Sequence, residues 1–560
     1  MKKYLLLLIF ILIPLFTLKA QMENVPLTNP VYDFIKEMSV KGLIHYVDND
    51  ANLSKGRIDY FLSQIEKQDT SLSKVEKKFL KKYKLEFEVG GLDNSNTASL
   101  FGHGENFSQK VDGFLSKKLK YLYYIDNPEN NLYISGIATR FSFSRSFKPS
   151  DSASNSYDGG ARFSGTVFKH LGYSYSFDKG GLGGAEFLQL LTAPDLSHNF
   201  KFNENIENVR SFDYTDGYLR YQANPYEDMR ISVQLGREQL KYSYGYGKSL
   251  VLSGIGPDMD FLRFNFDYDI FHYSSITAST VGNFTRFNRD ANYTKYWAAN
   301  MATIEIKKLF DFSIEEAMVY SRPLELAYLN PFIFYKFAEQ SLQDRDNGTI
   351  SFGLQTHCFK DIEFQGTFFL DEDIIGNLGD LQKASNKTAY QVGTYIYEPF
   401  KLRNLSLEVE YTKIRPYVYS HIDNKNTYTA FGTILGNPIG PNSDEIYTKA
   451  KYNFSEWVNG SLEYQYIRKG NNITDAQGQV IRNVGGDEQV PFRGEPFDSD
   501  HAYFLDGNRV NTQIVTLGMN VELIRDIIFE FKYIYRINEE ISTGAKNDVS
   551  FAFFRMNWDY

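Results

Sequence analysis

The chain lacks the features that mark a disulfide-stabilised protein or a helical membrane protein. Cys358 is its one cysteine in 560 residues, so no internal disulfide can form. After the first 20 residues, no stretch reaches the roughly 20 apolar residues that a transmembrane helix requires. The net charge of −9 argues against a nucleic-acid partner, which favours a basic face. What remains is a chain too long for one ordinary soluble domain, with its apolar residues dispersed along it.

Catalytic signatures are absent as well. The sequence contains no G-x-S-x-G string and no H-E-x-x-H string, and its eight histidines are scattered. Gly247-Lys248-Ser249 does not complete a phosphate-binding loop, because Tyr242 stands where the first glycine is required. A Ser-His-acid site is recognised by geometry rather than spacing, so an unrecognised hydrolase stays an alternative. We predict a non-enzymatic protein with no metal site and no cofactor.

The first 20 residues have the parts of a secretory signal peptide in the usual order. Lys2 and Lys3 open it, an apolar run follows, and Ala20 supplies a small residue before Gln21. This order predicts a cleaved signal peptide over residues 1–20 and export of the rest of the chain. The alternative is an uncleaved membrane anchor.

Residues 21–90 carry three short helical patterns. The first follows Pro30, the second begins at Ser54 as a candidate N-cap, and the third begins with a capping box at Ser73. Each apolar stripe is too short to be stable alone, but three together can bury a shared core. We therefore predict a small three-helix segment. Residues 91–112, rich in Gly, Asn and Ser, are predicted to be a linker.

From about residue 113 to the C-terminus, the hydrophobic pattern has a period of two. Apolar or aromatic residues alternate with charged or polar ones over 262–270, 405–412, 462–466 and 529–537. Because successive side chains of a strand point to opposite faces, each segment has one apolar and one polar face. In a soluble protein the apolar face forms the core. In a membrane barrel it contacts lipid, and the charged face lines the lumen.

Three features favour the membrane barrel over a soluble β protein. The alternating runs approach the roughly 9–11 residues that span a bilayer. Short turns and long polar loops join them, and the last strand ends on Tyr560 with aromatic residues on one face, which resembles the insertion signal of bacterial outer-membrane barrels. At about 25 residues per strand and connection, residues 113–560 predict a transmembrane antiparallel β-barrel of about 16–20 strands. We expect it in the outer membrane, with residues 21–90 in the periplasm.

Five strings along the chain share the pattern of one known family. They run from Val25 to Ile35, Tyr244 to Leu250, Tyr328 to Phe332, Arg415 to His421 and Leu435 to Gly440. These strings resemble the Wzi-type capsule-assembly family, and the size and character resemble its gliding-motility RemB-type members. The sequence departs from the family after Ser253, where Gly254-Ile255-Gly256 replaces an Asp-Asn-Ala-like turn. The resemblance implies a non-enzymatic outer-membrane barrel with a periplasmic helical bundle, which binds polysaccharide or serves surface motility.

Candidate polysaccharide contacts lie in two of these strings and just beyond one of them. Sugar binding uses flat aromatic faces together with planar polar groups. The candidates are Tyr244, Tyr246, Arg415, Tyr417, Tyr419, His421 and Asn424. The last five lie where a strand enters a long loop, and the first two lie in a glycine-broken segment from which we expect their rings to project. The alternative for the tyrosines is an aromatic belt at the bilayer surface, which needs no ligand.

The leading functional hypothesis is the binding or anchoring of surface or capsular polysaccharide. One alternative is an outer-membrane component of gliding-motility or secretion machinery, and another is a diffusion channel for small solutes or oligosaccharides. The expected partners are outer-membrane lipid and polysaccharide, together with periplasmic or motility-complex proteins in the first alternative. No nucleic-acid partner is expected.

Overall fold

The computed structural model describes residues 21–50, 52–88, 90–101, 106–127, 129–204, 210–226, 228–283, 291–306, 308–371 and 380–558. The predicted signal peptide at residues 1–20 lies outside this range, and so does Tyr560.

Within the described residues, eighteen antiparallel strands form a closed barrel. The strands are β1 Asn131–Lys148, β2 Ser152–Val167, β3 Leu171–Gly184, β4 Ser211–Tyr226, β5 Met229–Glu238, β6 Met259–Tyr268, β7 Phe271–Asn283, β8 Tyr293–Ile306, β9 Phe310–Tyr320, β10 Asn347–Thr356, β11 Ile362–Leu370, β12 Thr388–Tyr397, β13 Leu405–Ile414, β14 Ser443–Ser455, β15 Val458–Asn471, β16 Asn508–Ile524, β17 Ile527–Glu540 and β18 Lys546–Trp558. Each strand pairs with the next, and β18 closes the ring on β1. The predicted fold class is confirmed, and the strand number falls within the predicted range.

The connections differ between the two ends of the barrel. The even-numbered strands from β2 to β16 are followed by short connections, the shortest of them two-residue turns such as Arg525-Asp526 between β16 and β17. Several odd-numbered strands are followed by long segments, which include 185–210, 239–258, 321–346, 415–442 and 472–507. We call the first end the short-turn mouth and the second end the long-loop mouth.

The two faces of the wall follow the predicted alternation. On β6, Leu262 is 42% exposed on the outer face, whereas its neighbour Arg263 is buried in the lumen and forms an ion pair with Asp50. On β17, Phe531 and Tyr533 are exposed on the outside in the same way. The apolar face therefore points outward and the charged face inward, as a membrane barrel requires.

The N-terminal segment contains three helices near the predicted positions. They are α1 Val31–Val40, α2 Lys55–Glu66 and α3 Lys74–Phe87. The Ser54 hydroxyl accepts a hydrogen bond from the backbone N–H of Arg57, and Ser73 forms the predicted capping box with Glu76. The three-helix prediction is confirmed.

These helices close the short-turn mouth. Phe34, Ile58 and Leu80 share one buried cluster, which Tyr395 and Tyr397 of β12 join from the wall. At the turns, the Ser73 hydroxyl donates to Asn404 Oδ1 over 3.1 Å, and Lys82 pairs with Glu522. We call residues 21–88 the plug.

Residues between the plug and the ring are more ordered than the linker predicted over 91–112. A helix, α4, spans Phe107–Phe114 and begins with a capping box between Asn106 and Gln109. Strand Thr97–Ser99 pairs in parallel with Leu119–Tyr121, and Tyr123–Asp126 pairs with β1. The ring itself begins at Asn131 rather than near residue 113, because these short elements precede it.

The remaining elements are short and lie in the connections. The helices are α5 Glu186–Thr192, α6 Phe200–Glu204 and α7 Tyr335–Ser341, the single-turn helices are Asp69–Ser71, Pro194–His198, Leu326–Leu329, Pro399–Lys401 and Asn424–Asn426, and the small strands are Thr429–Ala430, Thr433–Ile434, Ile473–Thr474 and Val480–Arg482. No helix in the described ranges is both long and apolar enough to cross a membrane.

One connection, residues 321–346, folds against the outside of the wall. Its Tyr328 and Tyr335 cluster with Met318, which points outward because its neighbours Ala317 and Val319 face the lumen. The backbone N–H of Tyr335 donates to the Glu316 carboxylate over 2.8 Å, so a polar side chain of the outer wall has a partner. The exposed side of this connection is apolar, with Phe332 82% exposed.

Candidate functional site

Beneath the long loops, residues 239–258 fold back into the lumen. The ring of Tyr242 packs edge-on against Trp297 of β8, with 5.7 Å between ring centroids. Trp297 Nε1 in turn donates a hydrogen bond of 3.0 Å to the hydroxyl of Tyr428 in the 415–442 loop. All three side chains are buried in one cluster. The lumen on this side is therefore filled by aromatic packing between the wall and two inward connections.

The predicted site residues Tyr417 and Tyr419 hold these connections together. Both have positive φ values, 66° and 71°, and both rings are buried. The Tyr419 hydroxyl donates to the carbonyl of Leu250 over 2.8 Å and accepts from the N–H of Asn437 over 3.1 Å. The Tyr417 hydroxyl donates to the carbonyl of Asn483 over 3.3 Å. Tyr419 thus fastens the 415–442 loop to the inward segment, and Tyr417 fastens it to the 472–507 loop.

Tyr244 and Tyr246 lie deeper, between the plug and the wall. Asn49 of the plug donates a hydrogen bond of 3.3 Å to the Tyr244 hydroxyl. The Tyr246 hydroxyl donates to Glu363 Oε1 over 2.9 Å, and its backbone N–H donates to Glu410 Oε2 over 2.8 Å. This string therefore ties the inward segment to the polar lumen wall.

The rings of Tyr244, Tyr417 and Tyr419 do not project into solvent, contrary to the expectation from the glycine-broken and loop sequences. A buried tyrosine needs a partner for its hydroxyl, and carbonyls and amides from distant parts of the chain supply those partners. A sugar-binding role for these residues stays a prediction. Their observed contacts are structural.

Arg415, His421 and Asn424 lie nearer the surface of the long-loop mouth. Arg415 Nε donates to the carbonyl of Asn386 over 3.1 Å. His421 Nδ1 lies 3.1 Å from the N–H of Asp423, and Asn424 is exposed. The structure thus places the five predicted residues from 415 to 424 in one loop, and places Tyr244 and Tyr246 apart from them.

The long loop 472–507 also carries exposed aromatic residues that the sequence did not single out. Phe497 is 72% exposed and Tyr503 is 54% exposed. This loop is held to the 415–442 loop by Tyr417, whose ring packs edge-on against Phe492 at 5.5 Å. We call His421, Asn424, Phe497 and Tyr503 the rim. The sequence does contain a local signal for Phe497 and Tyr503, because aromatic side chains in a long polar loop cannot belong to the lipid-facing side of the barrel wall.

A cavity of about 530 Å³ lies between the inward segment and strands β14–β17. Its charged lining includes Lys248, Glu445, Lys469 and Arg536. Enclosure in the lumen lowers the pKa of the Lys248 amine below its usual range. The sequence alone does not reveal this cavity, because it depends on where residues 239–258 fold.

No protein-family model matches this sequence, and no curated protein matches it. Among solved structures, it is similar to Wzi of Escherichia coli, described as a carbohydrate-binding β-barrel involved in group 1 capsule assembly. That match has 11% sequence identity and a TM-score of 0.53, and covers 96% of this chain and 99% of Wzi. Acinetobacter baumannii OccAB4 and Pseudomonas aeruginosa OccK8 have 10% and 9% identity with TM-scores of 0.43 and 0.41, and each match covers 77% of this chain and 97% of the other. The chain therefore has the outer-membrane barrel fold of Wzi, as its sequence predicts.

Proposed function

We propose that this chain is a non-enzymatic outer-membrane protein that binds surface or capsular polysaccharide at its long-loop mouth. The observation that carries the proposal is the match to a carbohydrate-binding barrel over nearly the whole of both chains. The occupied lumen supports it. Because the plug enters from one mouth and residues 239–258 enter beneath the other, the interior favours retention of a ligand at the surface over its passage.

The orientation of the barrel is part of the proposal. Outer-membrane barrels have short periplasmic turns and longer extracellular loops. By that rule the short-turn mouth and the plug lie in the periplasm, and the rim faces the outside. The apolar outer wall, with residues 321–346 folded against it, then contacts outer-membrane lipid. Phe332 is placed to meet acyl chains directly.

The rim provides the groups that a polysaccharide needs. Phe497 and Tyr503 offer aromatic faces, and His421 and Asn424 offer polar groups. Tyr417 and Tyr419 act beneath them by positioning the two loops. The buried tyrosines therefore contribute to binding only through the shape of the rim.

A glycan pull-down with extracellular polysaccharide of the native host tests this proposal. We expect Phe497→Ala/Tyr503→Ala to lower retention at least about tenfold, equivalent to about 1.4 kcal/mol. Phe400→Ala is the matched control, because Phe400 is 90% exposed but lies in a turn of the short-turn mouth. Heat-modifiability on a gel shows that each variant is folded. No retention by the wild type, or equal loss in the control, would refute rim binding.

The charged cavity favours a second candidate function, the capture or passage of small polar solutes. Stepwise ion conductance of the wild-type protein in planar bilayers, changed by Arg536→Glu, would support it. A place in gliding-motility or secretion machinery stays a prediction, tested by partners retained on affinity purification.

A further inference from the structure

Three histidines that are distant in sequence converge where the plug meets the wall. His45 belongs to the plug, His272 lies in β7, and His357 directly follows β10. Asp311 of β9 lies between His45 and His357, and Glu305 of β8 lies between His45 and His272. We call His45, Asp311 and His357 the bridging triad, because His45 belongs to the plug and the other two residues belong to the barrel wall.

The triad brings three metal-ligand atoms together. His45 Nε2 lies 3.0 Å from Asp311 Oδ1, and His357 Nε2 lies 2.6 Å from Asp311 Oδ2. The two imidazole rings are 4.1 Å apart between centroids, and the ligand atoms all lie within 4.8 Å of one another. In a tetrahedral zinc site, with bonds of about 2.0–2.1 Å, ligand atoms stand about 3.3 Å apart. The separations within the triad, from 2.6 Å up to at most 4.8 Å, lie on both sides of that spacing.

The chemistry of the triad suits a divalent transition metal. Two imidazole nitrogens and one carboxylate form a donor set typical of Zn²⁺ and its neighbours, whereas Ca²⁺ and Mg²⁺ prefer oxygen ligands. Both Nε2 atoms must be unprotonated to bind, so each neutral ring carries its proton on Nδ1. The carboxylate of Glu305, 3.4 Å from His45 Nε2, adds a second negative charge beside the triad.

Access and burial are also suitable. The Asp311 side chain is fully buried and that of His357 is nearly so, whereas His45 keeps 24% of its side chain exposed. An ion can therefore enter from the His45 side and leave a position there for water or Glu305. Asp267 and Glu305 orient His272 beside this position, at 2.7 Å each.

We propose that the bridging triad binds one divalent transition-metal ion of the Zn²⁺ class, which fastens the plug to the barrel wall. His45 is the plug's contribution, and Asp311 and His357 are the wall's. Metal binding is then coupled to the docking of the plug in the barrel, because the three ligands come together only when the plug contacts the wall. This proposal is independent of polysaccharide binding.

The test uses the full chain in detergent micelles, treated with EDTA and titrated calorimetrically with Zn²⁺. We expect one Zn²⁺ per chain, no comparable heat with Mg²⁺ or Ca²⁺, and at least a ~100-fold weaker affinity in His45→Gln. His421→Gln is the matched control, because His421 lies at the opposite mouth, and it should bind as the wild type does. Asp311→Asn is the second variant, and heat-modifiability confirms that each protein is folded.

A second readout separates metal binding from fastening. Zn²⁺ should slow proteolytic cleavage of the plug in the wild type and in His421→Gln, but not in His45→Gln. Absence of Zn²⁺ binding, or unchanged binding in folded His45→Gln and Asp311→Asn, would overturn the site. Binding that leaves the rate of plug cleavage unchanged would overturn the fastening role.

Discussion

The two mouths of the barrel are closed by different kinds of contact. At the short-turn mouth, buried ion pairs join the plug to the wall beside a shared apolar cluster: Lys36 lies 2.5 Å from Glu363, and Lys82 pairs with Glu522. At the long-loop mouth, aromatic rings pack and their polar atoms bond to one another or to the backbone, as Tyr419 does to the Leu250 carbonyl. The plug thus adds ion pairs with the polar lumen wall to its apolar contacts, whereas the inward segment 239–258 packs a second apolar core against the wall.

The difference indicates separate tasks for the two ends. A buried charge that loses its partner costs far more than a missing surface contact, so the plug is held in one position. Aromatic packing beneath the long loops fixes their bases, and the rim residues lie outside this packing. Ligand binding at the rim, as proposed, would then leave the closure of the lumen unchanged.

The largest expected effect is at the plug. Lys36→Met leaves the buried carboxylate of Glu363 without its cation, which should cost about 3–5 kcal/mol. We expect a lower denaturant midpoint and faster proteolysis of residues 21–88. Lys77→Met is the matched control, because the Lys77–Asp69 pair is exposed and should contribute about 0–1 kcal/mol. Equal effects of the two substitutions would show that the charged contacts do not hold the plug.

A smaller effect is expected at the long-loop mouth. Tyr419→Phe keeps the ring but removes the hydroxyl partner of Leu250 and Asn437, which should cost about 1–3 kcal/mol. Tyr503→Phe is the control, because the Tyr503 side chain is exposed and its substitution should not change the stability of the protein. Tyr419→Phe should also weaken polysaccharide retention less than Phe497→Ala/Tyr503→Ala does. Stronger loss in Tyr419→Phe would mean that the buried tyrosine acts on the ligand directly.

Local signals in the sequence were enough for the wall and for the helices. Period-two alternation needs only neighbouring residues, and Ser54 and Ser73 cap their helices within three positions. The position of the Tyr244 and Tyr246 side chains inside the lumen could not be predicted in this way. Their partners Asn49, Glu363 and Glu410 are remote in sequence, and a glycine-broken tyrosine string looks the same whether it lies on the surface or in the lumen.

The candidate sites show the same limit. The loop that carries residues 415–424 was located from its sequence, but the burial of Tyr417 depends on contacts with residues 483–492. The bridging triad joins residues 45, 311 and 357, so the scattered histidines gave no spacing to recognise.

The last expected effect is a pH dependence of the plug, which develops only as the pH rises above about 4.5. Burial raises the pKa of the Glu37 carboxyl from 4.5 to about 7, against the opposing attraction of Lys451 and the hydrogen bond from Asn453, while Asp33 and Glu76 raise it further. The folded state therefore binds the Glu37 proton more tightly than the unfolded state does. This contribution to stability is complete below about pH 4.5 and is lost as the pH rises through about 7. Glu37→Gln should keep the low-pH value and unfold at higher denaturant than the wild type above pH 7, with Glu88→Gln as the exposed control. A difference that does not grow between pH 5 and 8 would mean that Glu37 stays charged beside Lys451, and that the two side chains form one more ion pair between the plug and the wall.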